Sequence, residues 1–121
     1  MSKSINTWIH SEEVHHQIRN NLNHILAKYD LNLNEFYVLY YLHGIPNRTL
    51  AINEFCDKIN LSFSASSRLI SQMCTKNCSA IERLANNQDK RSTLIHLTKY
   101  GDQLLEKVIV DVAAYLEKNN Y

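Results

Sequence analysis

The sequence has 121 residues, 45% of them apolar and 21% charged, which is one domain's worth of globular chain and too short for two ordinary cores. Two glycines and one proline are too few for the turns of an all-β sandwich or barrel, and Gly44 and Gly101 stand too far apart to make a phosphate-cradling loop. The net charge of +1 hides an uneven distribution: residues 60–99 carry six basic and two acidic side chains, against 0 for residues 1–30, −1 for 31–59 and −2 for 100–121, so one 40-residue stretch is the counterpart for a polyanion.

In chain order, residues 5–28 carry apolar side chains at three- and four-residue intervals, from Ile5 and Trp8 to Leu22 and Leu26, and predict an amphipathic helix. The Asp30–Asn34 segment is a break. Asn34 is placed to cap a second helix carrying Phe36, Leu39, Tyr40 and Leu42. The same residues would suit a buried strand, but the Gly44–Pro46 stop frames a helical unit. Residues 44–49 predict a loop, and Thr49-Leu50 a very short strand. A third helix from Ala51 to Ile59 puts Ile52, Phe55, Cys56 and Ile59 on one face. Asn60 then ends it in the left-handed conformation that asparagine tolerates.

A fourth helix, 63–76, is capped by Ser62 or Ser64. It places Ala65, Leu69, Ile70 and Met73 on one side and Ser64, Ser67, Arg68, Ser71, Gln72 and Thr75 on the other. Strands at 80–84 and 92–97 predict a hairpin with a polar tip from Ala85 to Arg91. Thr98 caps a last helix running to Lys118, striped by Leu105, Val108, Ile109, Val112 and Leu116. The result is a mainly α fold with a small β-hairpin wing (α+β). It reads as a single domain, 1–121: a winged helix-turn-helix over about 31–97, flanked by N- and C-terminal dimerisation helices at 5–28 and 98–118.

Two helices joined by a short turn, the second beginning with small polar residues, make the helix-turn-helix arrangement. Serine hydroxyls and amides at a helix start bond phosphate oxygens. Ser62, Ser64, Ala65 and Ser67 are small enough for that helix to approach base edges. Arg68 and Gln72, one turn apart, are long enough to reach guanine or adenine. The hairpin tip offers Lys90 and Arg91 to the adjacent backbone or minor groove. Singly, these features describe a well-capped helix and a solvated loop. Their conjunction on the one basic stretch predicts a double-stranded DNA partner.

The segments Asn60-Leu-Ser-Phe-Ser-Ala-Ser-Ser-Arg-Leu-Ile, Ile81-Glu-Arg and Asp89-Lys-Arg-Ser-Thr-Leu-Ile-His-Leu-Thr-Lys-Tyr-Gly-Asp-Gln-Leu-Leu resemble the MarR family of winged-helix transcriptional regulators, over about residues 31–108. The resemblance implies a homodimer on a pseudo-palindromic operator, a repressor whose affinity is altered by a small-molecule effector or by oxidation. It implies that Arg91 enters the minor groove, that Asp89 orients the wing, and that residues 63–76 are the recognition helix. Ser66 stands where that family is usually aliphatic and Phe63 where it is usually polar. The chain ends soon after one terminal helix, where the family usually has another.

Other constellations carry less. Cys74 and Cys78, four residues apart, are a candidate redox or metal pair, but a thiol switch needs an electropositive exposed setting and Lys76 is thin support; semi-buried thiols acting as small hydrophobes are the plainer reading. His10, His15 and His16 near Glu12 and Glu13 lack a strict i, i+4 pair and read as solvated rather than as a metal site. The tyrosines read as core or interface before effector pocket. Nothing in the sequence supports catalysis, so no enzyme and no cofactor or metal is predicted. Three cysteines, no secretory leader and no membrane-length apolar run predict a cytoplasmic protein without membrane contact. The reading from another class is a winged-helix protein-interaction module without DNA binding, which salt-dependent retention on DNA would distinguish.

Overall fold

A computed structural model describes residues 1–76, 79–88 and 93–121. The elements run α1 (Lys3–Ala27), α2 (Leu33–His43), β1 (Thr49–Ala51), α3 (Ile52–Ile59), α4 (Phe63–Cys74), β2 (Ile81–Ala85), β3 (Thr93–Leu97) and α5 (Lys99–Lys118). The expected order of helices and hairpin is present, with shifts at the ends.

The cap of α2 is Asn32, not Asn34. Asn32 Oδ1 accepts from the Glu35 amide at 2.9 Å, and Glu35 Oε1 accepts from the Asn32 amide at 3.0 Å. This reciprocal capping box needs a glutamate or glutamine three residues on. Asn32 has Glu35; Asn34 has Tyr37. The segment that could have been a strand is helical. Its Val38, Leu39 and Leu42 are fully buried, and a helix start so capped commits them to a period of 3.6.

The three strands form one antiparallel sheet in the order β1-β3-β2. Ile81 pairs with Leu97 and Ala85 with Thr93, while Thr49 to Ala51 pair with His96 to Leu94 on the other side. The short first strand therefore extends the wing into a sheet and ties it to the start of α3. Asn60 has φ 56° and ψ 44°, the left-handed conformation expected of it, and turns the chain from α3 into α4. Thr98 caps α5 by accepting from the Gly101 amide at 3.0 Å, and its own amide and hydroxyl both reach the carbonyl of Ala80.

The core gathers one face from each element: Leu26 of α1, Leu39 of α2, Phe55 of α3, Ile70 of α4, Ile81 and Ile95 of the sheet, and Leu105 and Val108 of α5. The terminal helices divide their apolar residues differently. Leu105, Val108 and Val112 of the α5 stripe are buried within this chain, and Ile109 and Leu116 pack partly against the core. That stripe is thus consumed largely at home. In α1 only Leu22 and Leu26 are buried, whereas Ile5, Trp8 and Ile9 lie open, Trp8 at 65% exposure. No helix among the described residues is long and apolar enough to cross a membrane.

Candidate nucleic-acid interface

Helix α4 has two chemically distinct sides. Ser66, Leu69, Ile70 and Met73 are buried, at the i, i+3, i+4, i+7 spacing of one helix face. Phe63, Ser64, Ser67, Arg68, Ser71 and Gln72 line a shallow groove of about 540 Å3 on the opposite side. They fall into two rows along the helix, 63-67-71 and 64-68-72, each stepping by four residues. Of the six, Ser67 is half-buried and the others are exposed. Small hydroxyls fill the middle of this face, and the long polar side chains of Arg68 and Gln72 rise from it.

The candidate residues from sequence separate into groups. Ser64, Ser67, Arg68 and Gln72 are brought together on this face. Ser62 is committed to the helix itself: it is the N-cap, and its Oγ accepts from the Ala65 amide at 3.1 Å. Ala65 is half-buried and lines a smaller neighbouring cleft with Asn32, Asn34 and Leu61, which Arg68 and Gln72 also line. Asp89, Lys90 and Arg91, expected at the hairpin tip, lie outside the described residues, as does Cys78 of the candidate redox pair. Cys74 is half-buried, with Sγ 4.0 Å from the Ile81 carbonyl oxygen. The helix ends at Cys74, two residues before the expected limit, and Thr75 is its C-cap.

Three contributors had escaped the candidate set. Phe63 and Ser71 belong to the groove, and the four-residue steps 63-67-71 were the signal for them. Arg83 is the third. It follows Ile81 by two residues and so shares its side of β2; its Nη2 donates to Ser71 Oγ at 2.6 Å. The bond joins the second strand to the open face of α4 and adds a guanidinium beside it.

Not every cation of the basic stretch is available. Lys76 Nζ lies 2.9 Å from Glu35 Oε2 and 3.8 Å from Asp30 Oδ2. Glu35 is 4% exposed, so this lysine balances a buried carboxylate, which would otherwise be costly to bury. Arg68 and Arg83 stay exposed. Elsewhere, His43 and Arg48 both approach Asp102 Oδ1, at 2.6 and 3.6 Å, linking the end of α2 and the loop after it to the first turn of α5. A separate cleft of about 430 Å3 lies where the α1–α2 corner meets the ends of α4 and α5; Tyr29, Met73, Tyr100 and Leu104 are among its walls. Among the described residues, no three His, Cys, Asp or Glu side chains come together to hold a metal.

Residues 21–108 match the model of a family described as transcriptional regulator SarA/Rot. No curated protein sequence matches the chain. Among solved structures, AbsC, a MarR family transcriptional regulator from Streptomyces coelicolor, has a TM-score of 0.90 and 20% identity, covering 99% of this chain and 80% of its own. A mutant MarR from E. coli complexed with operator DNA has a TM-score of 0.78 and 25% identity, covering 97% and 82%. MepR of S. aureus, in a complex with DNA, has a TM-score of 0.78 and 19% identity, covering 100% and 86%. The architecture is that of the MarR regulators, which agrees with the resemblance drawn from residues 31–108.

Proposed function

The chain belongs to the SarA/Rot family of transcriptional regulators, on a MarR-type winged helix, and from that premise we propose that it binds duplex DNA as a homodimeric, sequence-specific repressor. The observation that carries this reading is the division of α4: one side anchored in the core, the other presenting Ser64, Ser67, Arg68 and Gln72 around an open groove. In the major groove, the serines give close approach, and Arg68 and Gln72 supply the reach for guanine and adenine edges. Ser62 contributes as the cap that opens the helix, and its neighbouring amides are then available to a phosphate. Arg83 extends the positive surface from α4 to the second strand. Lys90 and Arg91, which fall between the second and third strands in sequence, are assigned to the adjacent backbone or minor groove, with Asp89 aiming Arg91.

The homodimer is proposed on the open apolar end of α1, where Ile5, Trp8 and Ile9 are exposed among the described residues, together with Val110 on α5. A two-fold axis there would set two copies of α4 on half-sites ~34 Å apart. The cleft walled by Tyr29, Met73, Tyr100 and Leu104 joins α4 to α5. A small molecule lodged in it would change how the recognition helix sits relative to the dimer, which supports its assignment to an effector.

The test is selection of bound duplexes from a random pool, followed by salt titration of the enriched sequence. The expected result is a pseudo-palindrome with half-sites one turn apart and an affinity that falls linearly in log–log form with salt. Binding that ignores salt and sequence would overturn the DNA reading. A sedimentation mass of one chain at micromolar concentration would overturn the dimer.

A further inference from the structure

Phe63 is out of place by ordinary packing rules. It is the first residue of α4, it is 60% exposed, and among the described residues it has no part in the core. Its neighbours in the groove are Ser64, Ser67, Arg68, Ser71 and Gln72. A phenyl ring gains nothing from water or from a phosphate, since it has no donor or acceptor, and every other side chain on this face has one. The ring heads the row 63-67-71, and the serines after it are too short to screen it. Whatever covers this face therefore meets the ring directly.

In the major groove the one apolar group that a base pair presents is the 5-methyl of thymine, and phenylalanine is among the side chains suited to it. Resting on the DNA-binding reading given above, we propose that Phe63 is a specificity-determining residue that packs on a thymine methyl, at the base step facing the N-terminus of α4 in each half-site. Arg68 then reads hydrogen-bonding edges about 1.4 turns further along the helix, while Phe63 reads shape and apolar surface. The division explains how a face built mostly of serines selects a sequence: serine hydroxyls both donate and accept and discriminate weakly, so Phe63, Arg68 and Gln72 carry the choice.

The test compares three duplexes of the sequence enriched by the wild-type protein from a random pool. The first contains thymine. The second has uracil substituted position by position, which removes only the 5-methyl. The third restores a methyl at the same place as 5-methylcytosine paired with guanine. Wild type should lose about fourfold in affinity at one position per half-site on uracil substitution, the effect of one methyl leaving an apolar contact. Phe63→Ala should bind the thymine and uracil duplexes alike, and Phe63→Leu should keep part of the preference. The ring is exposed, so both variants should fold, which their circular dichroism and urea midpoints would confirm. Equal wild-type affinity for thymine and uracil at every position overturns the proposal while leaving DNA binding intact. So does a Phe63→Ala variant that discriminates as wild type does. Wild-type protein that enriches no sequence overturns the DNA-binding reading and this inference with it.

Discussion

A side-chain carbon on Gly101 would sit 2.1 Å from the carbonyl oxygen of Ala80 and 2.9 Å from its carbonyl carbon. The first turn of α5 thus lies directly against the entrance to β2, backbone on backbone. The same carbonyl accepts from the Thr98 amide at 3.0 Å and from the Thr98 hydroxyl at 3.1 Å, so it has no freedom to retreat. In an open helix Gly→Ala would add about 1 kcal/mol of stability. Here Gly101→Ala should instead cost about 1–3 kcal/mol through forced displacement. Urea unfolding of the variant gives the sign, and a midpoint at or above wild type would show that α5 can step back from the sheet.

Ser66 poses the reverse case. It is 1% exposed, and its Oγ has no hydrogen-bond partner in the structure, the one such buried side-chain atom among the described residues. An unsatisfied buried hydroxyl costs about 1–3 kcal/mol. Ser66→Ala should raise the urea midpoint by the equivalent of about 1 kcal/mol and leave DNA affinity unchanged, because the residue faces the core. A destabilised Ser66→Ala protein would mean that the hydroxyl has a partner in solution.

The two exposed arginines beside the groove should differ in what they do. Arg68→Ala should weaken the selected duplex more than random DNA, with discrimination at one base pair reduced by about 1–3 kcal/mol. Arg83→Ala breaks the bond to Ser71 and removes a charge at the edge. It should weaken both duplexes together and lower the salt slope by about one phosphate contact. Anisotropy titrations on both duplexes at several salt concentrations separate the outcomes, and the assignment of Arg68 fails if its variant loses the same factor on each.

Tyr29 supplies a pH dependence with a definite sign. Its hydroxyl donates to Asp111 Oδ2. That bond, then desolvation, then the negative carboxylate hold the phenol above its usual value of 10.0. A folded-state value above the unfolded one favours the protonated phenol in the native state. The contribution is therefore complete below the ordinary tyrosine value and is lost as pH rises through the folded one. Tyr29→Phe should be less stable than wild type at neutral pH, and the two should converge above pH ~10. A gap that stays constant between pH 7 and alkaline pH would remove the hydrogen bond from the account.

Trp8 offers a direct readout of the proposed association. Trp8→Ala should leave the unfolding midpoint of the dilute protein close to wild type, because the side chain is 65% exposed within one chain, while shifting the monomer–dimer equilibrium toward monomer by more than about tenfold, the effect of losing a central aromatic anchor. Analytical ultracentrifugation over a concentration series measures it; an unchanged association constant would place the interface elsewhere.

Much of this architecture is legible in the residues because it rests on local rules. Leu69, Ile70 and Met73 declare the buried side of α4, Asn60 the left-handed turn before it and Thr98 the start of α5. Ala65, expected on that side, is half-buried, and Ser66 takes the buried place instead: its polarity argues against burial, but its position along the helix turns it inward. Asn32 was the harder choice, since two asparagines compete for one cap and only the reach back from Glu35 decides between them. The stripe of α5 was legible as apolar but not as to its cover, for periodicity states that a face will be buried and says nothing of which surface buries it. Ser62 caps α4, and because capping and phosphate binding call on the same chemistry, its residue type alone does not separate the two roles. Arg83 and Ser71 are twelve residues apart and on two different elements, and no rule of spacing along one element finds their meeting. Lys76 belongs to the basic stretch by sequence, but its partner Glu35 lies 41 positions away in the chain, beyond the reach of a local charge count.

At 1.5 Å per residue, the 25 residues of α1 span ~37 Å. Its inner end is clamped through Leu22 and Leu26, and the outer residues, 3–10, are all exposed. A peptide of ~12–15 residues holds a helix in water only marginally, so that outer arm draws little order from its own chain. Under the dimer proposed above, coiling of the arm and association become one equilibrium, and helix content acquires a concentration dependence. Far-ultraviolet dichroism should fall on dilution before the winged core unfolds, and amide hydrogens in residues 3–10 should exchange early. In a cell, the abundance of the protein would then govern how long its N-terminal arm survives proteases.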